Sequence, residues 1–300
     1  MWWIILLIVL GSLILITIIF AISISGYIAK SLIRPRYKTR EGQIKDRNHT
    51  SWPGYNDLKK KPFNIQLRDG YIIHGDYSPN GDSKKTMIIV HGHGSTREGT
   101  TKYGLIYFKL GYNIVRYDVR GHGDNLRTRC TMGDIESKDL DEIINYVQET
   151  YEPESISLHG TSMGGATVLL TISRYNKNIK FAVVDCPYSN VSRLAGDFAS
   201  MKHQPRFLFI PFFNVIMKMC RMNIKNASPE YFVKDNITPT LFVHGAKDDF
   251  VLPYHHDILF KNNNGVKEEH IFPHGTHGNS VFDDAEEYKN VIEEFVKKYQ

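Results

Sequence analysis

Cysteine is scarce in this sequence, which holds three cysteines in 300 residues: Cys130, Cys186 and Cys220. Their odd number and unrelated spacings exclude a framework of paired disulfides and a metal-ligand pair. We interpret them as ordinary buried or half-buried thiols. The rest of the sequence implies neither a metal nor an organic cofactor, so we expect none.

Charged side chains are absent from residues 1–29, and Trp2–Phe20 is almost wholly Trp, Ile, Leu and Val. A helix over this stretch reaches roughly 40 Å at ~1.5 Å per residue, which exceeds the ~30 Å hydrocarbon core of a bilayer. A cleaved signal peptide is the alternative, but it would begin with basic residues and have a shorter apolar core. We predict an uncleaved transmembrane helix over residues 1–29 that contacts membrane lipid and takes no part in the functional site.

An excess of basic charge on the folded body is also absent. The net charge of +5 comes from residues 30–47, which carry seven basic and two acidic side chains. A nucleic-acid partner would need a basic patch on the domain itself, so we expect no nucleic acid. Because the basic residues directly follow the span, the positive-inside rule places the body in the cytoplasm, at the cell membrane. Residues 30–60 are predicted to be a basic juxtamembrane linker.

Two β-like stretches at residues 63–68 and 71–77 are joined by a hairpin signal at Asp69 and Gly70, and from residue 86 onward short apolar strands alternate with segments of helical length. This pattern predicts a mostly parallel sheet with helices on both faces. The predicted strands are residues 63–68, 71–77, 86–90, 113–117, 155–159, 180–185, 240–243 and 269–272.

About fifty residues separate the strand that ends at Asp185 from the strand that begins at Thr240. A compact sheet does not need so long a connection. We predict a cap insertion over the strand ends at about residues 188–238. Its apolar stretch at residues 207–217 fits simple packing and a pocket for an acyl chain equally well.

A Gly-Thr-Ser-Met-Gly motif at residues 160–164 follows one of the predicted strands and leads into a helix of small residues. A sharp strand-to-helix turn of this kind exposes a serine oxygen, and its strained backbone requires glycine. The motif is weak by itself, and its position between a strand and a helix strengthens it. Ser162 is therefore a candidate nucleophile.

A serine hydroxyl needs a base to take its proton and an acid to orient that base. In a parallel sheet both partners lie at the carboxyl ends of later strands. Asp248 follows the strand at residues 240–243, and His277 follows the strand at residues 269–272. The order Ser, Asp, His is the one that α/β-hydrolase folds use. We predict Asp248 as the acid and His277 as the base.

Three other residues are alternatives for the roles of base and acid. His274 precedes His277 on the same loop, but Gly278 leaves space beside His277. Asp249 adjoins Asp248, and Asp185 ends an earlier strand.

The reaction also needs N–H donors for the oxyanion. The backbone N–H of Met163 directly follows the nucleophile and begins a helix, whose dipole helps. The glycine-rich loop at residues 91–95 follows another strand. We predict the backbone N–H of His93 as the second donor.

Five motifs together resemble the α/β-hydrolase superfamily, from about Phe63 to the carboxyl end. The resemblance implies a sheet of about eight strands, a domain over residues 61–300, and activity on ester, thioester or amide acyl groups. It favours Asp248 over Asp249, because of the spacing from His244, and makes residues 118–123 a turn that shapes the site. Residues 185–189 and the single span resemble a bacterial branch of membrane-anchored esterases related to acylaminoacyl peptidases. The five motifs are residues 90–95, 118–123, 160–164 and 244–248, and His277 with its following glycine.

We therefore predict a serine hydrolase that cleaves a carboxylic ester through an acyl-enzyme, of the carboxylesterase or lipase kind. Its substrate would be a small-molecule or lipid-like acyl ester. Acyl-protein thioesterase and aminoacyl-peptidase activities are the alternatives within the class. A non-catalytic binding protein is the alternative outside it, although such proteins usually lack a member of the triad, and this chain has all three.

Overall fold

Eight strands form one sheet in the computed structural model, which describes residues 1–175 and 178–300. The spatial order is β1-β2-β4-β3-β5-β6-β7-β8. Strand β2 runs antiparallel to β1 and to β4, and all other neighbouring pairs are parallel. The sheet confirms the predicted architecture. The strands are β1 (Lys61–Gln66), β2 (Ile72–Ser78), β3 (Lys85–Val90), β4 (Asn113–Tyr117), β5 (Ser155–Thr161), β6 (Ile179–Asp185), β7 (Thr240–Gly245) and β8 (Lys267–Phe272).

Helices cover both faces of this sheet, as the apolar central strands require. Alternate residues of β3 enter two separate cores, with Ile88 on one face and Ile89 on the other. The first core includes the apolar face of α4, and the second includes buried residues of α3 and α10. The helices outside the cap are α1 (Trp2–Ile33), α2 (Arg40–Arg47), α3 (Thr101–Lys109), α4 (Asp134–Tyr151), α5 (Met163–Tyr175), α8 (Tyr254–Asn262), α9 (Ser280–Asp283) and α10 (Ala285–Tyr299).

The long connection between β6 and β7 contains two cap helices, α6 (Val191–Ser200) and α7 (Arg206–Met219). Helix α7 buries Phe209, Phe213 and Met217, which recur every four residues and therefore lie on one face. These side chains join the same core as α4 and α5. The cap is thus packed onto the domain through its apolar stretch.

Helix α1 is long and apolar enough to cross a membrane. Its first part is exposed, whereas its last third packs onto the cap helix α7, where the Ser25 hydroxyl donates to the Phe209 carbonyl at 3.3 Å. Ile28, Leu32 and Ile33 belong to the main hydrophobic core. The helix therefore continues four residues beyond the predicted end at residue 29, and its last turns are part of the hydrolase domain.

The segment after α1 is bound to the domain, in contrast to the linker predicted from its polar sequence. The Gln43 side chain on α2 accepts from the Thr96 amide at 3.0 Å and from the Thr96 hydroxyl at 2.9 Å. Arg40 pairs with the buried carboxylate of Glu98 at 2.8 Å. Burial would raise the pKa of Glu98, but Arg116 and the other cations lower it to about 2, so this carboxylate stays charged. Helix α2 consequently packs on the loop that follows β3.

Two amino-terminal truncations should differ in stability. Removal of residues 2–20 takes away exposed side chains and should leave the thermal unfolding of the domain unchanged. Removal of residues 2–33 should cost roughly 5 kcal/mol, since three large aliphatic side chains leave the core at about 1.5–3 kcal/mol each. Chemical denaturation of both variants in detergent would measure the difference. Equal unfolding free energies would show that α1 does not stabilise the domain.

Candidate active site

Ser162 occupies the turn between β5 and α5, with a left-handed backbone φ of 56°. Its amide donates to the Asp185 carbonyl at 2.7 Å. The backbone of the turn is crowded. A Cβ added to Gly160 would lie 2.3 Å from the carbonyl oxygen of Gly164, and a Cβ added to Gly164 would lie 2.2 Å from the carbonyl oxygen of Val90. Because no side chain fits at either glycine, the motif requires both. The predicted strand-to-helix turn is therefore present, and it leaves the serine side chain partly exposed.

The structure brings the three predicted side chains together in one hydrogen-bonded chain. Ser162 Oγ lies 2.9 Å from His277 Nε2, and His277 Nδ1 lies 2.7 Å from Asp248 Oδ2. The three residues follow the carboxyl ends of β5, β8 and β7, which lie at the same edge of the sheet. An arrangement of this kind can move the serine proton to the imidazole as the oxygen attacks an electrophile.

The surroundings of Asp248 keep its carboxylate charged. Its Oδ1 atom accepts from the backbone amides of Phe250 and Val251, at 3.0 and 2.8 Å. Its Oδ2 atom also lies 3.3 Å from His244 Nε2. Burial would raise the pKa of Asp248, but the hydrogen bonds from His244 and His277 outweigh burial and hold that pKa well below its usual range. The charged carboxylate binds the Nδ1–H of His277 and leaves its Nε2 atom facing the serine.

The two alternative acids lie elsewhere. The Asp249 side chain is exposed, and no hydrogen bond joins it to a histidine within the described part of the chain. Asp185 is buried below the turn, where its Oδ2 atom accepts from the hydroxyls of Tyr103 at 2.9 Å and Tyr288 at 3.0 Å. Neither carboxylate is positioned to orient His277.

The alternative base is also turned away. His274 Nδ1 lies 2.7 Å from Asp284 Oδ1, and its side chain is 66% exposed. This pair fixes the loop between β8 and α9 at the surface. His274 therefore pairs with Asp284 at the surface, and His277 is the histidine that meets Ser162.

Both predicted oxyanion residues adjoin the serine. Met163 is the first residue of α5. The loop that holds His93 passes close to the serine, since a Cβ added to Gly92 would lie 3.2 Å from Ser162 Cβ. The His93 ring points away, with Nε2 at 2.8 Å from the Leu32 carbonyl of α1. Among the described residues, neither the His93 amide nor the Met163 amide donates a hydrogen bond to another protein group.

Residues 118–123 form a turn that holds the loop after β3, in agreement with the sequence interpretation. The Asp118 carboxylate accepts from the amides of Arg97 at 2.7 Å and Asp124 at 3.0 Å. The Val119 amide donates to His91 Nε2 at 2.9 Å. Burial lowers the pKa of His91, which is consistent with a neutral ring that accepts this bond. The turn fixes the oxyanion loop and does not contact the serine.

A cavity of about 250 Å³ adjoins Ser162. Two aromatic side chains that no sequence motif indicated, Trp52 and Phe282, form one wall of this cavity. Their ring centroids lie 5.4 Å apart. In the sequence, Trp52 stood out only through the Pro53 and Gly54 that follow it. No local sequence pattern could indicate this aromatic pair, because the two rings come from distant parts of the chain. Lys102, Phe250 and Asn279 complete the wall.

A second cavity of about 950 Å³ lies beside the first one. We call it the apolar groove. It runs between α1 and α6, and its wall includes residues of the predicted transmembrane span, in contrast to the expectation that the span takes no part in the site. The side chains that define it are Phe20, Ile24, Ile28, Phe198, Met201 and Phe250.

Cys186, Asp248 and His277 place potential metal-ligand atoms within 4.8 Å of one another. A thiol binds metal as the thiolate. Burial raises the pKa of Cys186 well above its usual value, and the neighbouring carboxylates raise it further. Asp248 already accepts hydrogen bonds on both oxygens. The three residues therefore suit a hydrogen-bonded chain better than a metal ion.

The family model described as "Serine aminopeptidase, S33" matches residues 81–236, just over half of the chain. The chain belongs to this S33 family. The match confirms the predicted resemblance to the α/β-hydrolase superfamily, and the protein is a serine hydrolase. The predicted relation to acylaminoacyl peptidases stays a prediction.

Relatives of this S33 protein cover nearly its whole length. The Bacillus subtilis protein YqkD is 27% identical over 86% of this chain and 87% of its own length. The membrane protein YNL320W of Saccharomyces cerevisiae is 23% identical over 83% of this chain and 84% of its own. Among solved structures, the Pyrococcus furiosus esterase Pf2001 superimposes with a TM-score of 0.70 at 23% identity, covering 83% of this chain and 95% of its own. This likeness confirms the α/β-hydrolase fold.

Proposed function

We propose that this S33 hydrolase cleaves carboxylic esters through an acyl-enzyme, with Ser162 as the nucleophile, His277 as the base and Asp248 as the acid that orients the base. The hydrogen-bonded chain of these three side chains carries the proposal. No metal or organic cofactor is needed, because the triad supplies both the nucleophile and the proton transfer.

In the first step, Ser162 Oγ attacks the ester carbonyl while His277 Nε2 takes the hydroxyl proton. The carbonyl oxygen becomes negatively charged, and the backbone N–H groups of His93 and Met163 stabilise it. The ionised Asp248 stabilises the imidazolium. The tetrahedral intermediate then collapses, the ester C–O bond breaks, and His277 returns the proton to the leaving alcohol.

In the second step, water replaces the alcohol. His277 takes a proton from the water, and the resulting hydroxide attacks the acyl-serine carbonyl. The second intermediate collapses to release the carboxylic acid, and the proton returns to Ser162. The same two N–H groups stabilise the negative oxygen in both halves of the reaction.

The charges around the serine favour an ester over the peptide substrate of an aminopeptidase, the activity for which the family is named. An aminopeptidase binds the ammonium group of its substrate, which calls for a carboxylate near the nucleophile. The cavity at Ser162 is lined by Lys102 and by Lys38, which pairs with Asp46 at 3.1 Å, and its described lining contains no Asp or Glu. An uncharged ester avoids this repulsion.

Substitution of the triad should separate its members by their roles. Ser162→Ala should lower kcat by about 10⁶, as in comparable triads, and His277→Ala by nearly as much. Asp248→Asn should cost on the order of 10⁴, because the acid only orients and stabilises the base. Hydrolysis of nitrophenyl butyrate and labelling by a fluorophosphonate would measure each loss.

Two neighbouring residues provide matched controls for these substitutions. His274→Ala changes a histidine three residues before His277, and Asp249→Asn changes the aspartate directly after Asp248. Both variants should retain activity. The triad is refuted if folded Ser162→Ala retains roughly a tenth of the activity. Loss of turnover in His274→Ala but not in His277→Ala would show that His274, and not His277, is the base.

The choice of substrate can be measured directly on the wild-type protein. Nitrophenyl esters of short acids should be hydrolysed much faster than the nitroanilide of alanine, whose ammonium group meets Lys102 and no carboxylate in the described lining of the cavity. N-acetylation of the alanine removes that charge while the amide bond stays, and serves as the control for bond type. Faster cleavage of the free aminoacyl nitroanilide than of the esters would support an aminopeptidase instead.

We also propose that α1 anchors the protein in the cell membrane as a single span, with the hydrolase domain in the cytoplasm. The length and composition of α1 support the anchor, and so does the membrane protein among the relatives. The basic residues that follow α1 support the orientation. Protease added to intact cells should leave the domain uncut, and permeabilised cells provide the control. Cleavage in intact cells would reverse the orientation.

A further inference from the structure

We propose that the apolar groove holds the acyl chain of a membrane lipid ester, which enters sideways from the bilayer beside α1. The inference rests on the proposed esterase function and names its substrate class. The carbonyl would lie at Ser162, and the chain would extend from there along α1.

The sizes of the two cavities support placing the ester carbonyl in one cavity and the acyl chain in the other. The cavity at Ser162 has about 250 Å³, which is smaller than the ~300–1,000 Å³ of typical ligand pockets. It can hold the reacting ester and little more. The groove has about 950 Å³ and mainly apolar walls, so it can accept a long hydrocarbon chain.

The two cavities lie side by side and share part of their lining. Lys38, His93, Ser95 and Phe250 line both of them. Phe250 lies on the boundary, where its ring stands 4.8 Å from that of His277. We infer that a chain that begins at the serine carbonyl enters the groove beside Phe250.

The far end of the groove reaches the membrane-spanning part of α1. Its lining on this helix runs from Leu32 through Ile28 and Ile24 to Phe20. Phe20 is 52% exposed and continues the exposed apolar surface of the preceding turns. If α1 spans the bilayer, this end of the groove lies next to the lipid hydrocarbon.

The cap helix α7, which packs on α1, presents a second apolar surface. Phe207, Val215 and Met219 are 82%, 58% and 77% exposed, and with Pro211 they recur every four residues along one face. Because α7 packs directly on α1, this face suits the membrane interface. Contact with the interface would hold the groove against the bilayer surface.

The charges at the groove suit a membrane surface as well. Arg36 and Lys202 line it, and neither side chain is ion-paired with another described residue. The described lining contains no Asp or Glu. Such cations are attracted to anionic lipid headgroups, which would lie at the level where the chain leaves the bilayer.

Blocking the groove should change the preference for chain length. Ile24 is half-buried in the wall of the groove, and Ile24→Trp places a large ring there. Ile22, on the same helix, is 44% exposed and lies outside the groove, so Ile22→Trp is the matched control. With full-length protein in phosphatidylcholine vesicles, Ile24→Trp should lower the ratio of nitrophenyl palmitate to nitrophenyl butyrate hydrolysis by about tenfold or more. Ile22→Trp should retain the wild-type ratio.

Sideways entry also predicts where the substrate must be. At early times, the protein should hydrolyse palmitate ester carried in its own vesicles much faster than palmitate ester supplied in separate, protein-free vesicles. An unchanged ratio in folded Ile24→Trp, or equal early rates from both vesicle populations, would overturn the groove proposal. Fluorophosphonate labelling reports folding of each variant. Failure of the wild type to label or to hydrolyse either ester would instead overturn the proposed esterase function.

Discussion

The close packing of the start of α5 against β3 and β5 is the constraint on which the site depends. Gly160 and Gly164 let backbone meet backbone at distances that no Cβ allows. This contact forces Ser162 into the left-handed region and keeps the Met163 amide beside it. Because β3 takes part in the same contact, the loop that carries His93 is brought to the serine too. One packing arrangement thus fixes the proposed nucleophile and both proposed oxyanion donors.

A buried negative charge organises the other half of the site. Asp248 is withdrawn from solvent, which opposes ionisation, yet two backbone amides and two histidines bind it. The carboxylate can therefore hold His277 by one nitrogen at neutral pH. A rigid, ionised acid of this kind lowers the cost of forming an imidazolium next to the serine. The neighbouring carboxylate of Asp185 binds two tyrosines instead, and so contributes to packing under the turn.

The junction between α1 and the domain has physical consequences for the whole protein. The last turns of α1 are part of the core, and the Leu32 carbonyl binds the His93 ring on the oxyanion loop. Helix α2 binds the same loop through Gln43. A flexible linker would let the domain turn freely above a membrane, whereas this junction holds the candidate active site in a fixed relation to the proposed anchor. Helix α1 and the loop after β3 are therefore mechanically connected.

The sequence by itself determined the local features of this protein. The predicted runs became the eight strands, and the central strands such as β3 and β7 were the clearest because a strand buried on both faces is apolar almost throughout. Ser162, Asp248 and His277 each follow one of the eight strands. The tertiary structure alone decided which partners meet across long distances in the chain. Trp52 faces Phe282, and α1 forms a wall of the groove, through contacts that no local pattern encodes. Strand periodicity is set by neighbouring residues, whereas a cavity is set by whatever the completed fold leaves unfilled.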